Sequence, residues 1–125
     1  MNRERQIIFY EHHFQDFYLE QTVKVREKIG YVFRVIKTVD KIPDKFLEHL
    51  KGTDGLYEIR VEFESNIYRI FCCFDKGNLV VLFNGFQKKT QKTPQKEIDK
   101  AEKLKKEYFK LKIKENEKGQ SNKKR

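Results

Sequence analysis

Three strand-like runs, joined by turns too short to hold a crossover, constrain this chain more than any other feature. They are residues 56–63 (LYEIRVEF), 67–74 (IYRIFCCF) and 79–86 (LVVLFNGF), separated by Glu64-Ser65-Asn66 and Asp75-Lys76-Gly77-Asn78. Parallel neighbours need a connection of about a dozen residues or more, so these runs can pair in sequence order only as an antiparallel meander. Alternation in the first run puts Tyr57, Ile59, Val61 and Phe63 on one face, with Leu56, Glu58, Arg60 and Glu62 on the other. The second run is more apolar, as a central strand is.

The elements around the meander follow from the same kind of reading. Residues 6–11 (QIIFYE) form a short first strand, and residues 12–21 a short helix around Phe14, Phe17 and Tyr18. Thr22 is a fair N-cap for a second helix, in which Val25, Ile29, Val32, Val35, Ile36 and Val39 fall at helical spacing. Pro43-Asp44 restarts the chain as a single turn through Phe46, Leu47 and Leu50, and residues 52–55 (GTDG) turn again. After the meander, Thr93 caps and Pro94 opens a last helix with Ile98, Ala101, Leu104, Tyr108 and Leu111 as its stripe. The order β-α-α-β-β-β-α is that of a small α+β domain, with helices packed on a mostly antiparallel sheet. At 125 residues the chain is one domain. It is assigned to residues 1–113, and the basic stretch 114–125 loses its apolar face and is expected to be a disordered tail.

Charge narrows the partners. The net charge is +9, and it is uneven: residues 88–114 hold eleven lysines against four acidic residues. Such a run is as readily a solvated helix face as a binding surface. Here it adjoins the strand carrying Phe86 and follows two strand arginines, Arg60 and Arg69, which points to a polyanion such as RNA. Cys72 and Cys73 are adjacent, so in a strand they point to opposite faces and do not pair. No metal-ligand spacing is present, and neither a metal nor a cofactor is expected. The first residues are polar and no apolar run approaches ~18 residues, so neither a signal segment nor a membrane span is expected. Reduced thiols then suit a cytoplasmic protein. The last helix lacks a bulky apolar face, which leaves a membrane-surface role weakest.

Three segments together resemble the RelE/HigB-like toxins of type II toxin–antitoxin modules, in particular their phage-derived branch. They are Gly55-Leu56-Tyr57-Glu58-Ile59-Arg60, Tyr68-Arg69-Ile70-Phe71, and the run from Leu82 through Asn84-Gly85-Phe86-Gln87-Lys88-Lys89-Thr90-Gln91-Lys92-Thr93-Pro94. The last run, G-F-x-K-K-T-x-K-T-P, is the specific one, and the likeness is strongest over residues 52–108. The resemblance implies a RelE-like fold of microbial-ribonuclease type. It also implies a toxin that cuts mRNA in the ribosomal A site and a cognate antitoxin, in this branch a helix-turn-helix, HigA-like protein. A subgroup of the wider superfamily poisons DNA gyrase instead.

Metal-free RNA cleavage needs a base for the ribose 2′-hydroxyl, cations around the phosphorane and a proton for the leaving 5′-oxygen. Arg60, Arg69 and Lys88 are the candidate catalytic cations, because they sit in register on three consecutive strands. Arginine offers a phosphate paired donors, and lysine a point charge. Lys88 is also the candidate base. Glu58 shares a face with Arg60 and is either a base or its salt-bridge partner. Tyr57 and Tyr68 are supporting residues whose commoner role is core packing. Phe86 sits where it could stack on a base. Lys89, Thr90, Gln91, Lys92 and Lys96 are candidates for RNA contact, against a plain polar loop and helix start. His12, His13 and His49 all lie in the N-terminal half and are expected to be surface residues.

Three functions compete at this point: a ribosome-dependent mRNA endonuclease that needs no metal, a non-enzymatic toxin that poisons DNA gyrase, and a basic RNA-binding module. The cationic trio on the sheet favours the first.

Overall fold

The computed structural model describes residues 4–123, with side chains described through residue 116. The meander is present: β3 (Tyr57–Phe63), β4 (Asn66–Asp75) and β5 (Leu79–Lys88) pair antiparallel in sequence order, numbered after two strands taken up below. Glu64 and Ser65 join β3 to β4 with φ of 48° and 69°. Positive φ at both central residues gives the twist that closes a two-residue hairpin. In the second turn Gly77, at φ 73°, takes that conformation without a steric cost.

Two further strands complete the sheet. β1 (Gln6–Phe9) lies parallel to β5, and β2 (Leu47–His49) antiparallel to β3, giving the order β1-β5-β4-β3-β2. β2 stands where a continuing helical turn was expected. The turn does close, since the Pro43 carbonyl receives the amides of Phe46 and Leu47, but the chain then extends. The protein is therefore an α+β domain with a mostly antiparallel sheet.

α1 (His13–Leu19) and α2 (Val23–Thr38) cover one face of the sheet. Thr22 caps α2 as its sequence suggested, its hydroxyl accepting the Val25 amide at 3.3 Å. The far end of α2 is closed from a distance: Arg5 donates to the carbonyls of Ile36, Val39 and Asp40. Phe14, Phe17, Val25, Ile29, Val32 and Ile36 pack there on Ile59, Val61, Tyr68, Ile70, Cys72, Val80 and Leu82.

α3 (Gln95–Lys123) covers the other face, where Ala101 and Leu104 meet Leu56, Phe71, Cys73, Val81, Phe83 and Phe86. The helix continues through Lys123, past residue 114, where the sequence reading set its tail. The apolar stripe ends near Tyr108 and Phe109, and Leu111 is half exposed. Buried Asp75 fastens this helix to β4 by accepting from Tyr108 Oη at 2.7 Å and from Lys112 Nζ. The cysteines divide as adjacent strand residues must, Cys72 into one core and Cys73 into the other, both as free thiols.

One irregularity sets the facing of β5. Ile70 pairs with Gly85 and Cys72 with Leu82, so two residues of β5, Phe83 and Asn84, stand opposite one of β4, Phe71. Leu82 and Gly85 then share the α1 face, while Phe83 and Phe86 share the α3 face. Gly85 is required beneath α1: a Cβ there would stand 2.6 Å from Phe17 Cδ2. Gly85→Ala is expected to cost about 1–3 kcal/mol of stability through overpacking, measured by urea unfolding.

Burial opposes ionisation of Asp75, yet hydrogen bonds from Lys112 and Tyr108 outweigh it and hold the carboxyl below its ordinary value. Its stabilising effect is thus present at neutral pH and is lost progressively as pH falls below the ordinary carboxylate value of ~4 and through the lower folded one. Asp75→Asn should be less stable than the parent in urea at about pH 7, and that gap should shrink by about pH 3.

Candidate active site

The face of the sheet that α3 shares carries the sequence-selected cations. Arg60 and Arg69 are direct cross-strand partners, and Arg69 is in turn paired with Phe86. The row across the three central strands is therefore Arg60–Arg69–Phe86. Lys88 lies opposite Ile67, two residues nearer the strand end, on the same face. The bulge and the register put Phe86, not the lysine, beside Arg69.

Glu58 holds the arginines together. Its Oε2 stands 3.3 Å from Arg60 Nε and 2.7 Å from Arg69 Nε. The Arg69 Nε–H does not point at the carboxylate, so this contact is a charge pair more than a hydrogen bond. Arg69 Nη1 donates to the Tyr68 carbonyl at 3.3 Å. Arg60 reaches a second carboxylate, with Nη1 2.8 Å from Glu48 on β2. Of the two guanidinium side chains, Arg60 is 31% exposed and Arg69 7%. Burial pulls the Arg69 guanidinium below its ordinary value, Glu58 pulls it back up, and Arg60 adds to the lowering. Glu58 is thus paired with both arginines. Glu48 was not anticipated, because nothing in its own sequence marks it as part of a strand.

The other sequence-selected residues separate. Tyr57 and Tyr68 lie on the opposite face, in the α1–α2 core: Tyr57 packs edge-on against Phe74 and His49, and Tyr68 against Phe17. Phe86 is buried against Phe71, their ring centroids 5.4 Å apart. Lys89, Thr90, Gln91, Lys92 and Lys96 are exposed on the loop and at the start of α3. Thr90 Oγ1 donates to the Lys92 carbonyl, a contact that shapes this loop. Asn84, next to the bulge, donates from Nδ2 to the Glu97 carbonyl and carboxylate, which ties the first turn of α3 to β5.

A cleft of ≈ 420 Å³ opens beside this row. His13, Asp16, Phe17, Glu20 and Gln21 line it from the α1 side, with Gly85 to Gln87 from β5, Lys89 from the loop and Lys100 from α3. His13 was expected to be a plain surface residue, and the fold places it at Phe86 and Lys89. More than seventy residues separate these positions in sequence, so no local signal could have joined them. One grouping among the described residues has metal-ligand chemistry, Glu11, His12 and His13. It is accounted for by its own pairs, His12 Nδ1 to Asp16 at 2.7 Å and His13 Nε2 to Glu11 at 3.3 Å, and gives no argument for an ion.

The profile of the family described as "Phage derived protein Gp49-like (DUF891)" matches residues 16–106, which takes in the arginine row, Phe86, the lysine loop and most of α3's packed stripe. The chain belongs to that family. Gp49-like proteins are RelE/HigB-like toxins, and membership implies a cognate antitoxin as partner. No curated protein matches this Gp49-like chain. Among its described residues no helix is long and apolar enough to cross a membrane.

The arginine–carboxylate cluster generates a prediction about stability. Removing Glu58 leaves Arg69 buried without its counter-charge. Glu58→Ala should cost about 3 kcal/mol, the lower end for a broken buried pair because water reaches the Arg60 side of the cluster. Denaturant unfolding of the purified variant checks this.

Proposed function

We propose that this protein is a toxin that cuts mRNA on the ribosome without a metal, by attack of a ribose 2′-hydroxyl on the adjacent phosphate. The observation that carries the reading is the paired Arg60 and Arg69, with Phe86 across from Arg69 and Lys88 on the same face two residues out. The contacts of Arg60 use Nε and Nη1, and those of Arg69 use Nε and Nη1 as well. In this reading the Nη2 groups donate to the phosphate oxygens, where charge builds as the O2′–P bond forms and the P–O5′ bond breaks.

Lys88, part-exposed like Arg60, serves the proton transfer from the 2′-hydroxyl. The leaving 5′-oxygen takes up a proton, and the products are a 2′,3′-cyclic phosphate and a 5′-hydroxyl. Glu58 and Glu48 act as positioning residues that hold the arginines and keep the cluster from repelling itself before RNA arrives. Phe86, buried against Phe71, lends only its small cleft-lining surface to a neighbouring base. Lys89, Thr90, Gln91, Lys92 and Lys96, with the lysines along α3, provide salt-sensitive contact with RNA of the message or the ribosome. The setting is the cytoplasm, and a helix-turn-helix antitoxin holds the toxin silent.

Tightly regulated expression with mapping of mRNA 5′ ends over the following minutes tests this. Growth arrest with new 5′-hydroxyl ends at fixed positions within codons is expected. Arg60→Ala should slow cutting on the order of 10²–10³-fold, and Lys88→Ala should alter its rate and pH profile. An unchanged rate and profile would remove Lys88 from the chemistry. Arrest with intact mRNA and a DNA-damage response would point to gyrase, and absence of arrest to a binding protein.

A further inference from the structure

β1 pairs with β5 only as far as Leu82, so β5 runs on past the end of its neighbour. The cleft lies along that stretch, between α1 and α3, and its walls carry both signs of charge. Lys89 and Lys100 stand with Asp16 and Glu20. A groove that only follows a phosphate chain is lined by cations, and carboxylates in it would repel the ligand. The two acids therefore call for a ligand with donors. A carboxylate accepts and never donates. The edges of unpaired RNA bases are the donor-bearing surfaces of such a ligand.

We propose that this cleft is a base-reading subsite, which takes one nucleotide next to the scissile phosphate and selects guanine. The inference rests on the ribonuclease reading given above. Guanine alone among the four bases presents two adjacent donors, N1–H and N2–H, and these match the two oxygens of one carboxylate. Adenine, cytosine and uracil present a single donor beside an acceptor on the same edge, and the acceptor would face a carboxylate oxygen. Glu20 is exposed at the cleft and is the reading carboxylate. Asp16 uses Oδ2 for His12 and keeps Oδ1 for the same base. Lys89 and Lys100 hold the flanking phosphate. Phe86 joins the two sites: it lines the cleft and pairs with Arg69. The cleft is thus about one strand spacing, ~5 Å, from the arginine row, close enough for successive nucleotides of one strand to occupy both.

Cut-site mapping separates reading from chemistry. The parent protein should cut with guanine favoured at one position beside the cut. The Asp16→Asn/Glu20→Gln double variant should lose about tenfold of that preference. Arg69→Ala should lower cutting at all positions alike while leaving the preference in place. A preference retained by the double variant would overturn the subsite and leave the ribonuclease reading standing. A parent that cuts no mRNA would defeat the ribonuclease reading, and direct binding then decides the subsite. Guanosine 3′-monophosphate should shift the amide resonances of Gly85 and Gln87 in the parent but not in the double variant, and cytidine 3′-monophosphate should shift neither. No shift with guanosine monophosphate, or equal shifts with both, overturns the proposal.

Discussion

One extra residue in β5 decides which side chains meet. Without it, strict alternation would put Phe83 and Gly85 on one face and Leu82, Asn84 and Phe86 on the other. With it, Phe83 and Phe86 both face α3, Gly85 slides under Phe17, and Phe86 comes opposite Arg69. Asn84, at the same point, takes hold of Glu97 at the start of α3. Sheet facing, the place of α1 and the starting point of the last helix all follow from this local break in the ladder. Bulges are fitted to such work, because they bend a strand and re-aim its side chains without ending the pairing.

The cationic row is built against its own electrostatics. Two guanidinium groups on directly opposed strand residues repel, and burial makes the repulsion worse. Glu58 sits between them, and Glu48 arrives from a three-residue strand to take the outer side of Arg60. The short β2 thus matters more for charge than for the sheet. In the proposed reaction, a phosphate arriving at this cluster would meet donors already fixed in place and would spend little on ordering them.

Much of the fold was legible because its signals are local. The turns at Glu64-Ser65 and Lys76-Gly77, the Thr22 cap and the alternation of residues 57–63 each depend on neighbours within a few positions. β2 was not legible, since three residues cannot show a period and Pro43 suggested a turn that does form. The bulge was hidden because residues 79–83 are apolar throughout, and a run without polar residues does not report its facing. Arg60 and Arg69 were placed correctly relative to each other by the short hairpin between them. Lys88 was set one row too close: the register of the β4–β5 turn already carries it past the partner of Arg69, and the bulge brings it back by only one residue. Asp16, Glu20 and His13 could not be linked to Phe86 from sequence, because a contact across the sheet edge between α1 and β5 leaves no mark on either segment alone.

The adjacent cysteines have a consequence of their own. Each is sealed in a different core, and burial pushes Cys73 to about 11 and Cys72 higher still. A thiol in that state offers almost no thiolate to an oxidant or an alkylating reagent. The native molecule is therefore chemically silent at sulfur, and labelling of Cys72 or Cys73 reports the opening of one hydrophobic layer or the other. The pair is a built-in gauge of which side of the sheet gives way first.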